Sequence, residues 1–341
     1  MTEILTTKQR LKAFAELGTI LGSPDKQLTE LINSAQQSNA WFTPESTANA
    51  VRAIAGTLNE AKLEKWMSAY TLSPAKRPRS IGLILAGNIP LVGFHDILCV
   101  LATGNTALIK LSSHDSKLIP YILQILVGIE PGFGDQIKFI ERLNDFDAVI
   151  ATGSNNSSRY FEYYFSKVPH VIRKNRNSIA ILNGYESGDQ LQKLGHDIFD
   201  YFGLGCRNVS KVYVPRGYDF KHLFEGIEDF KPVIDHHKYN NNYDYNKSIF
   251  LVNLDKHLDN GFLLVKEDPR LASPLAVLYF EEYDDIVKLE EELRRRADEI
   301  QCIVSANKLD IKTVSPGESQ KPELWDYADG LDTVAFLDSI N

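Results

Sequence analysis

One thiol sits in an unusual setting at residues 201–215, YFGLGCRNVSKVYVP. Cys206 occupies a turn with Gly203 and Gly205 just ahead of it and Arg207 just behind, before a run of alternating apolar residues that reads as a strand. A structural cysteine is usually embedded in an apolar run. A thiol in a glycine-flanked corner beside a cation is instead placed for reactivity, because the thiolate is the nucleophile and nearby positive charge favours it. Such a group can form a covalent thioester, with its own backbone N–H helping to hold the oxyanion. The alternative is a small residue packed at a domain joint. Cys99 and Cys302 fit that alternative better, since each lies inside a strongly apolar pattern.

Three further stretches stand where strand-like runs end, the usual ligand-binding edge of an open α/β sheet. In LAGNIP (85–90), Asn88 offers an amide that could donate to an oxyanion, or could cap a helix opened by Ile89 and Pro90. In GNTALIKLSSHDS (104–116), Lys110, Ser112 and Ser113 close a strand where an adenosine ribose would lie, and no acidic residue precedes Asp115. Lysine and serines accept a 2′-phosphate that an acidic residue would repel, so the stretch favours NADPH over NADH. A plain loop capped by Ser113 explains the same residues. In VIATGSNNSSRYFEYYF (149–165), Thr152, Gly153 and Ser154 precede a helix whose first N–H groups could meet a phosphate. The G-x-G-x-x-G dinucleotide fingerprint is absent.

The elements that must position these groups follow two regimes. Residues 1–78 read as helices, with Thr43 as N-cap and Pro44 in the first turn of one of them, and the Pro-rich, basic LSPAKRPRS (72–80) ends that regime. From Ile81, short apolar strands alternate with helices, the pattern of βαβ units and a parallel sheet covered on both faces. Residues 79–202 are expected to form a cofactor-binding lobe and 203–310 a second α/β lobe carrying Cys206. Residues 311–341 are expected to return to the cofactor lobe or to a subunit interface. The stretch HHKYNNNYDYNKS reads as a loop, and one last strand is expected at the end of VSPGESQKPELWDYADGLDTVAFL.

The whole chain narrows the classes. Its 341 residues exceed the size at which one core usually divides. A formal net charge of −8 gives no electrostatic footprint for nucleic acid. Three scattered cysteines give neither a disulfide framework nor a zinc spacing, adjacent His236 and His237 have no ligand partners in sequence, and no metal is expected. No run reaches the length of a membrane span and no signal peptide is seen, so a cytoplasmic protein is expected. A serine hydrolase elbow, G-x-S-x-G, is also missing.

The order of the pieces, strand–Asn-x-Pro, strand ending in Lys, T-G-S, then G-x-G-C, resembles the aldehyde dehydrogenase superfamily. The wording GNIPLVGFHDILCVLATGN, ATGSNNSSRYFEYYF, FGLGCRNVSKVYVP and SQKPELWDYADGLDT is similar to the acyl-CoA reductase family related to LuxC, over about residues 80–340. The resemblance implies two Rossmann-like parallel-sheet lobes behind a helical segment, and NADPH-dependent reduction of a fatty acyl-CoA to its aldehyde. It implies Cys206 as the acylated nucleophile, Asn88 as the oxyanion amide, Lys110 as a ribose contact, and Gly153 with Ser154 near the nicotinamide half. A homodimer is implied by superfamily likeness. The oxidising members' Glu-Leu-Gly-Gly-Lys is matched here by RKNRNS, which lacks the glutamate that activates a deacylating water, and EDPRLASPLAV stands where Glu-x-Phe-Gly-Pro is usual. An acyl-phosphate reductase of the same superfamily and a non-catalytic nucleotide-binding scaffold are the competing readings.

Overall fold

The apolar runs form two mainly parallel sheets, one in each of two compact units of the computed structural model, which describes residues 5–72, 78–153 and 155–340. The first unit comprises Met1–Asn175 and Glu323–Asn341, the second Arg176–Pro322.

The first unit opens with α1 (Thr7–Gly22), α2 (Lys26–Ser38), α3 (Pro44–Thr57) and α4 (Glu60–Ser68). Thr43 does cap α3, its hydroxyl accepting the Ser46 N–H at 3.2 Å, with Pro44 at the first helical position where its missing N–H is harmless. Phe14, Leu17 and Leu21 of α1 are fully buried, and α1 packs on α3 and α6 (Leu118–Ile129). Gly18 permits the close crossing, since a Cβ there would lie 2.2 Å from the Leu58 carbonyl oxygen. The unit's sheet has the order β3-β2-β1-β4-β5, all parallel: β1 (Ser80–Ile84), β2 (Thr106–Lys110), β3 (Ile137–Phe139), β4 (Ala148–Thr152) and β5 (His170–Arg173). The inner residues of β1, β2 and β4 are buried on both faces, which is why these strands read as unbroken apolar runs. Between them run α5 (Phe94–Ala102), apolar almost all round and almost wholly buried, α6, and α7 (Asn155–Phe165).

The second unit's sheet has the order β11-β6-β7-β10-β9-β8, parallel except for β8 against β9. Its elements are β6 (Asn177–Ile181), α8 (Gly188–Phe199), β7 (Val209–Pro215), α9 (Phe220–Gly226), α10 (His237–Asn253), β8 (Leu258–Asp259), β9 (Leu264–Glu267), β10 (Val277–Tyr283), α11 (Ile286–Arg295) and β11 (Ile300–Ser305). Ile179, Ile181, Tyr213, Leu289 and Leu293 form a core cluster between sheet and α11. The chain then returns to the first unit, ending in α12 (Thr333–Ser339).

Three sequence expectations differ from this architecture. The units divide at Asn175 and Arg176, between β5 and β6, rather than at 202/203, and the return begins at Glu323 rather than at 311. β5 pairs with β4 while β6 pairs with β7 and β11, so the chain changes sheets across the polar KNR between them. The expected loop HHKYNNNYDYNKS is part of α10. Its buried Tyr239, Tyr243, Asn246 and Phe250 recur at helical spacing, and Asn246 donates to the carbonyls of Asn242 and Leu275, both at 2.9 Å. The expected last strand is α12, capped by Asp332, whose carboxylate accepts the Ala335 N–H at 2.9 Å. Among the described residues no helix is long and apolar enough to cross a membrane.

Candidate active site

In the first unit the chain runs outward from β1 through β2 to β3, then returns to place β4 and β5 on the other side of β1. The order of strands therefore reverses between β1 and β4, the kind of switch point beyond whose carboxyl ends open α/β sheets bind ligands. Asn88, exposed, follows β1; Thr152 ends β4 and Gly153 follows it; the register pairs Ile84 with Ala151. On the neighbouring strand, Lys110 ends β2 opposite Ile84 and is exposed, with half-buried Ser112 and exposed Ser113 beyond it. The loops after β1 and β2 touch: a Cβ on Gly87 would lie 2.4 Å from Ser112 Oγ. A Cβ on Gly153 would lie 2.9 Å from the Ser157 Cβ, so glycine lets α7 begin close to the strand end. Ser154 lies outside the described residues. Thus Asn88, Lys110, Ser112, Ser113, Thr152 and Gly153 share one edge of one sheet.

Asn88 does not cap a helix. Residues 88–93 form a turn, and α5 starts only at Phe94 with Gly93 as its N-cap. Within the turn Leu91 has φ of 60°, a left-handed conformation that costs a non-glycine residue about 1–3 kcal/mol unless its surroundings enforce it. The enforcing group is Asp115, which sequence reading passed over. Its Oδ2 accepts the Leu91 N–H at 2.8 Å, and the residue is only 4% exposed. Burial pushes this carboxyl up to about 6, with the backbone N–H groups of Leu91 and Leu118 offsetting part of the effect. Asn39, also buried, makes a long contact at 3.5 Å from its amide nitrogen to the Gly87 carbonyl.

In the second unit, Cys206 is exposed on the turn that leads into β7. The approach is tightly wound: Tyr201, Phe202 and Gly203 have φ of 54°, 59° and 77°, so two bulky residues sit in the left-handed region beside a glycine. Asn208, 3% exposed, enforces this path. Its side-chain oxygen accepts the Gly205 N–H at 2.8 Å, and its amide nitrogen reaches the carbonyls of Asp200 (2.7 Å), Asp197 (3.2 Å) and Ile198 (3.4 Å). From β6, the Ser178 hydroxyl donates to the Cys206 carbonyl at 2.9 Å, and Cys302 Sγ of β11 lies 3.1 Å from the same hydroxyl. The peptide of Cys206 is anchored from behind while its side chain faces outward. Cys99 is the opposite case, fully buried in α5, with its thiol pushed far up by burial.

The model of the family described as "Acyl-CoA reductase (LuxC)" matches residues 18–220, more than half of the chain. The chain belongs to the LuxC family. No curated protein matches it. Among solved structures, aldehyde dehydrogenase 21 from Physcomitrella patens in complex with succinate is similar at 13% identity and a TM-score of 0.69, covering 98% of this chain and 84% of that one. An E. coli NADP-dependent enzyme is similar at 13% identity and 0.66, covering 89% and 74%. The P. syringae indole-3-acetaldehyde dehydrogenase AldA, in complex with NAD+ and IAA, is similar at 14% identity and 0.64, covering 89% and 73%. This LuxC-family chain therefore has the aldehyde dehydrogenase fold and is an aldehyde-related oxidoreductase.

Two segments of this LuxC-family chain, RKNRNS and EDPRLASPLAV, are held by ion pairs. At the end of β5, where RKNRNS begins, Arg173 turns inward and pairs with Asp96 of α5 at 2.6 Å, both side chains nearly buried. Burial alone would lower the guanidinium's pKa, but the charge and hydrogen bonds of Asp96 outweigh it and hold it above the usual value. Arg173 also donates to the Ala328 carbonyl at 2.7 Å and the Thr333 hydroxyl at 2.9 Å, tying the returning C-terminal segment to the sheet. In EDPRLASPLAV, Asp268 is engaged by Arg270 at 2.6 Å, which keeps its carboxyl below the usual range, whereas Glu267 is exposed. His95, seven residues after Asn88, packs instead: its Nε2 lies 2.9 Å from the Leu324 carbonyl and its ring lies against Trp66 and Tyr327.

Proposed function

We propose that this chain reduces a fatty acyl-CoA thioester to the aldehyde with NADPH, through an acyl intermediate on Cys206. The observation that carries the reading is the exposed Cys206 on a turn whose backbone is fixed by Ser178 and Asn208, in a chain of the acyl-CoA reductase (LuxC) family. In this reading the Cys206 thiolate attacks the thioester carbonyl, a new C–S bond forms, and the coenzyme A thiolate leaves with its electron pair and takes up a proton from water. The Asn88 amide and the Cys206 backbone N–H are the donors to the oxyanion.

The residues at the switch point suit a dinucleotide. Gly153 lies where α7 begins and Lys110, Ser112 and Ser113 close the adjacent strand, so Thr152, Gly153 and Ser154 would take the pyrophosphate-to-nicotinamide side and Lys110 with the serines the ribose. Lysine and two serines, with no acidic residue before the buried Asp115, suit the 2′-phosphate of NADPH, which supplies the hydride when bound. The hemithioacetal on Cys206 then returns its electron pair to sulfur and releases aldehyde. The stretch RKNRNS, which lacks the water-activating glutamate that the resemblance would put there, supports survival of the acyl-cysteine against water. Following NADPH and NADH oxidation with acyl-CoA and acyl-phosphate tests the reading. Turnover with acyl-CoA and NADPH supports it, and turnover confined to acyl-phosphate replaces it with the semialdehyde-type reaction.

A further inference from the structure

The turn that carries Asn88 is pinned by a residue far along the chain, on a different loop. Asp115 follows β2, its Oδ2 accepts the Leu91 N–H at 2.8 Å, and its own N–H donates to the Ser112 carbonyl at 3.1 Å. One buried carboxylate thus connects the loop of Lys110, Ser112 and Ser113 with the turn of Asn88. Leu91 needs that connection, because its left-handed backbone carries a Cβ and no helix continues through it. The other end of the turn is fixed sterically, Gly87 being packed on Ser112 so closely that no Cβ fits. Asn88 therefore lies between two fixed points, one at the residue before it and one three residues after it.

We propose that Asp115 is the positioning residue of the Asn88 turn: by holding the Leu91 N–H it sets the backbone from which the Asn88 amide meets the acyl oxyanion. The inference rests on the reading of Asn88 as an oxyanion donor. A carboxylate serves because a backbone N–H donates more strongly to an anion than to a neutral oxygen, and because its short side chain leaves little rotamer freedom in a buried site. The effect of Asp115 on chemistry is indirect, and it should show in the rate of acylation and not in the binding of either ligand.

The test is a double-mutant cycle read by single-turnover acylation with octanoyl-CoA, followed as intact mass, alongside NADPH binding and thermal unfolding. Asp115→Ala is expected to slow acylation about ten- to hundredfold while NADPH affinity stays unchanged, as a small displacement of a catalytic donor does. Asp115→Asn keeps an oxygen for the Leu91 N–H and should acylate within about threefold of the parent, since one acceptor replaces another at the same atom. In the Asn88→Ala background, Asp115→Ala should add no further loss. Multiplicative losses in the double variant, or parental acylation by Asp115→Ala, would overturn the proposal with the Asn88 reading intact. Parental acylation by Asn88→Ala would overturn both. Should Asp115→Ala not fold, Asp115→Ser gives the same readout, its hydroxyl being too short to reach Leu91.

Discussion

The Ser178 hydroxyl donates to the carbonyl oxygen of Cys206 at 2.9 Å while Cys302 Sγ stands 3.1 Å from that hydroxyl, so β6 and β11 together anchor the peptide that bears the exposed thiol. A neutral side-chain hydrogen bond of this kind contributes about 1 kcal/mol. Ser178→Ala is therefore expected to lower unfolding free energy by about 1 kcal/mol in urea and to slow acylation several-fold, leaving NADPH affinity unchanged. An unchanged acylation rate would show that the anchor does not govern the thiol.

Gly87 and Ser112 form a steric pair: a Cβ at Gly87 would lie 2.7 Å from the Ser112 Cβ and 2.4 Å from its Oγ. Gly87→Ala should displace the Asn88 turn and lower acylation about tenfold or more, as expected for a catalytic group moved by a fraction of an ångström. The double variant Gly87→Ala with Ser112→Gly should recover much of that rate, because the clashing atoms are gone. Failure of the rescue would place the effect elsewhere than in this contact.

The Arg173–Asp96 pair is buried and also holds the C-terminal segment. Removing one member of such a pair leaves an uncompensated charge in the core, at about 3–5 kcal/mol. Asp96→Ala is expected to lower the melting temperature by that equivalent and to open the chain near Ala328 to limited proteolysis. A melting temperature within a degree of the parent would refute the structural role.

Asp115 gives a pH dependence of stability with a definite sign. Its folded-state pKa of about 6 lies above the ordinary 3.8, so its contribution is most favourable below about pH 4 and is lost as pH rises through about 6. Above that, the buried charge weakens the fold by up to about 3 kcal/mol. Asp115→Asn should therefore raise stability at pH 7.5, and the gain should vanish near pH 4. A gain independent of pH would contradict the assignment.

Much of this was legible from residue order. The strands β1, β2 and β4 announce themselves because burial on both faces demands unbroken apolar runs, and Asn88, Lys110 and Thr152 follow from where those runs end. α10 was not, because its inward stripe is built from Tyr239, Tyr243 and Asn246, whose polar atoms find partners only in the folded chain. The helix expected at Ile89–Pro90 is a turn, since Leu91 is kept left-handed by a carboxylate on another loop. Asp115, Ser178 and Asn208 share this character. Each acts through one backbone group brought near by the fold, and a lone Asp, Ser or Asn in a sequence carries no sign of that.

Peptide-mapped intact mass of the protein mixed with octanoyl-CoA in the absence of NADPH tests the central claim most directly. One acyl group on the peptide containing Cys206, absent from Cys206→Ala and discharged as aldehyde when NADPH is added, is the predicted result. An acyl group on Cys99 or Cys302, or full turnover by Cys206→Ala, would contradict it.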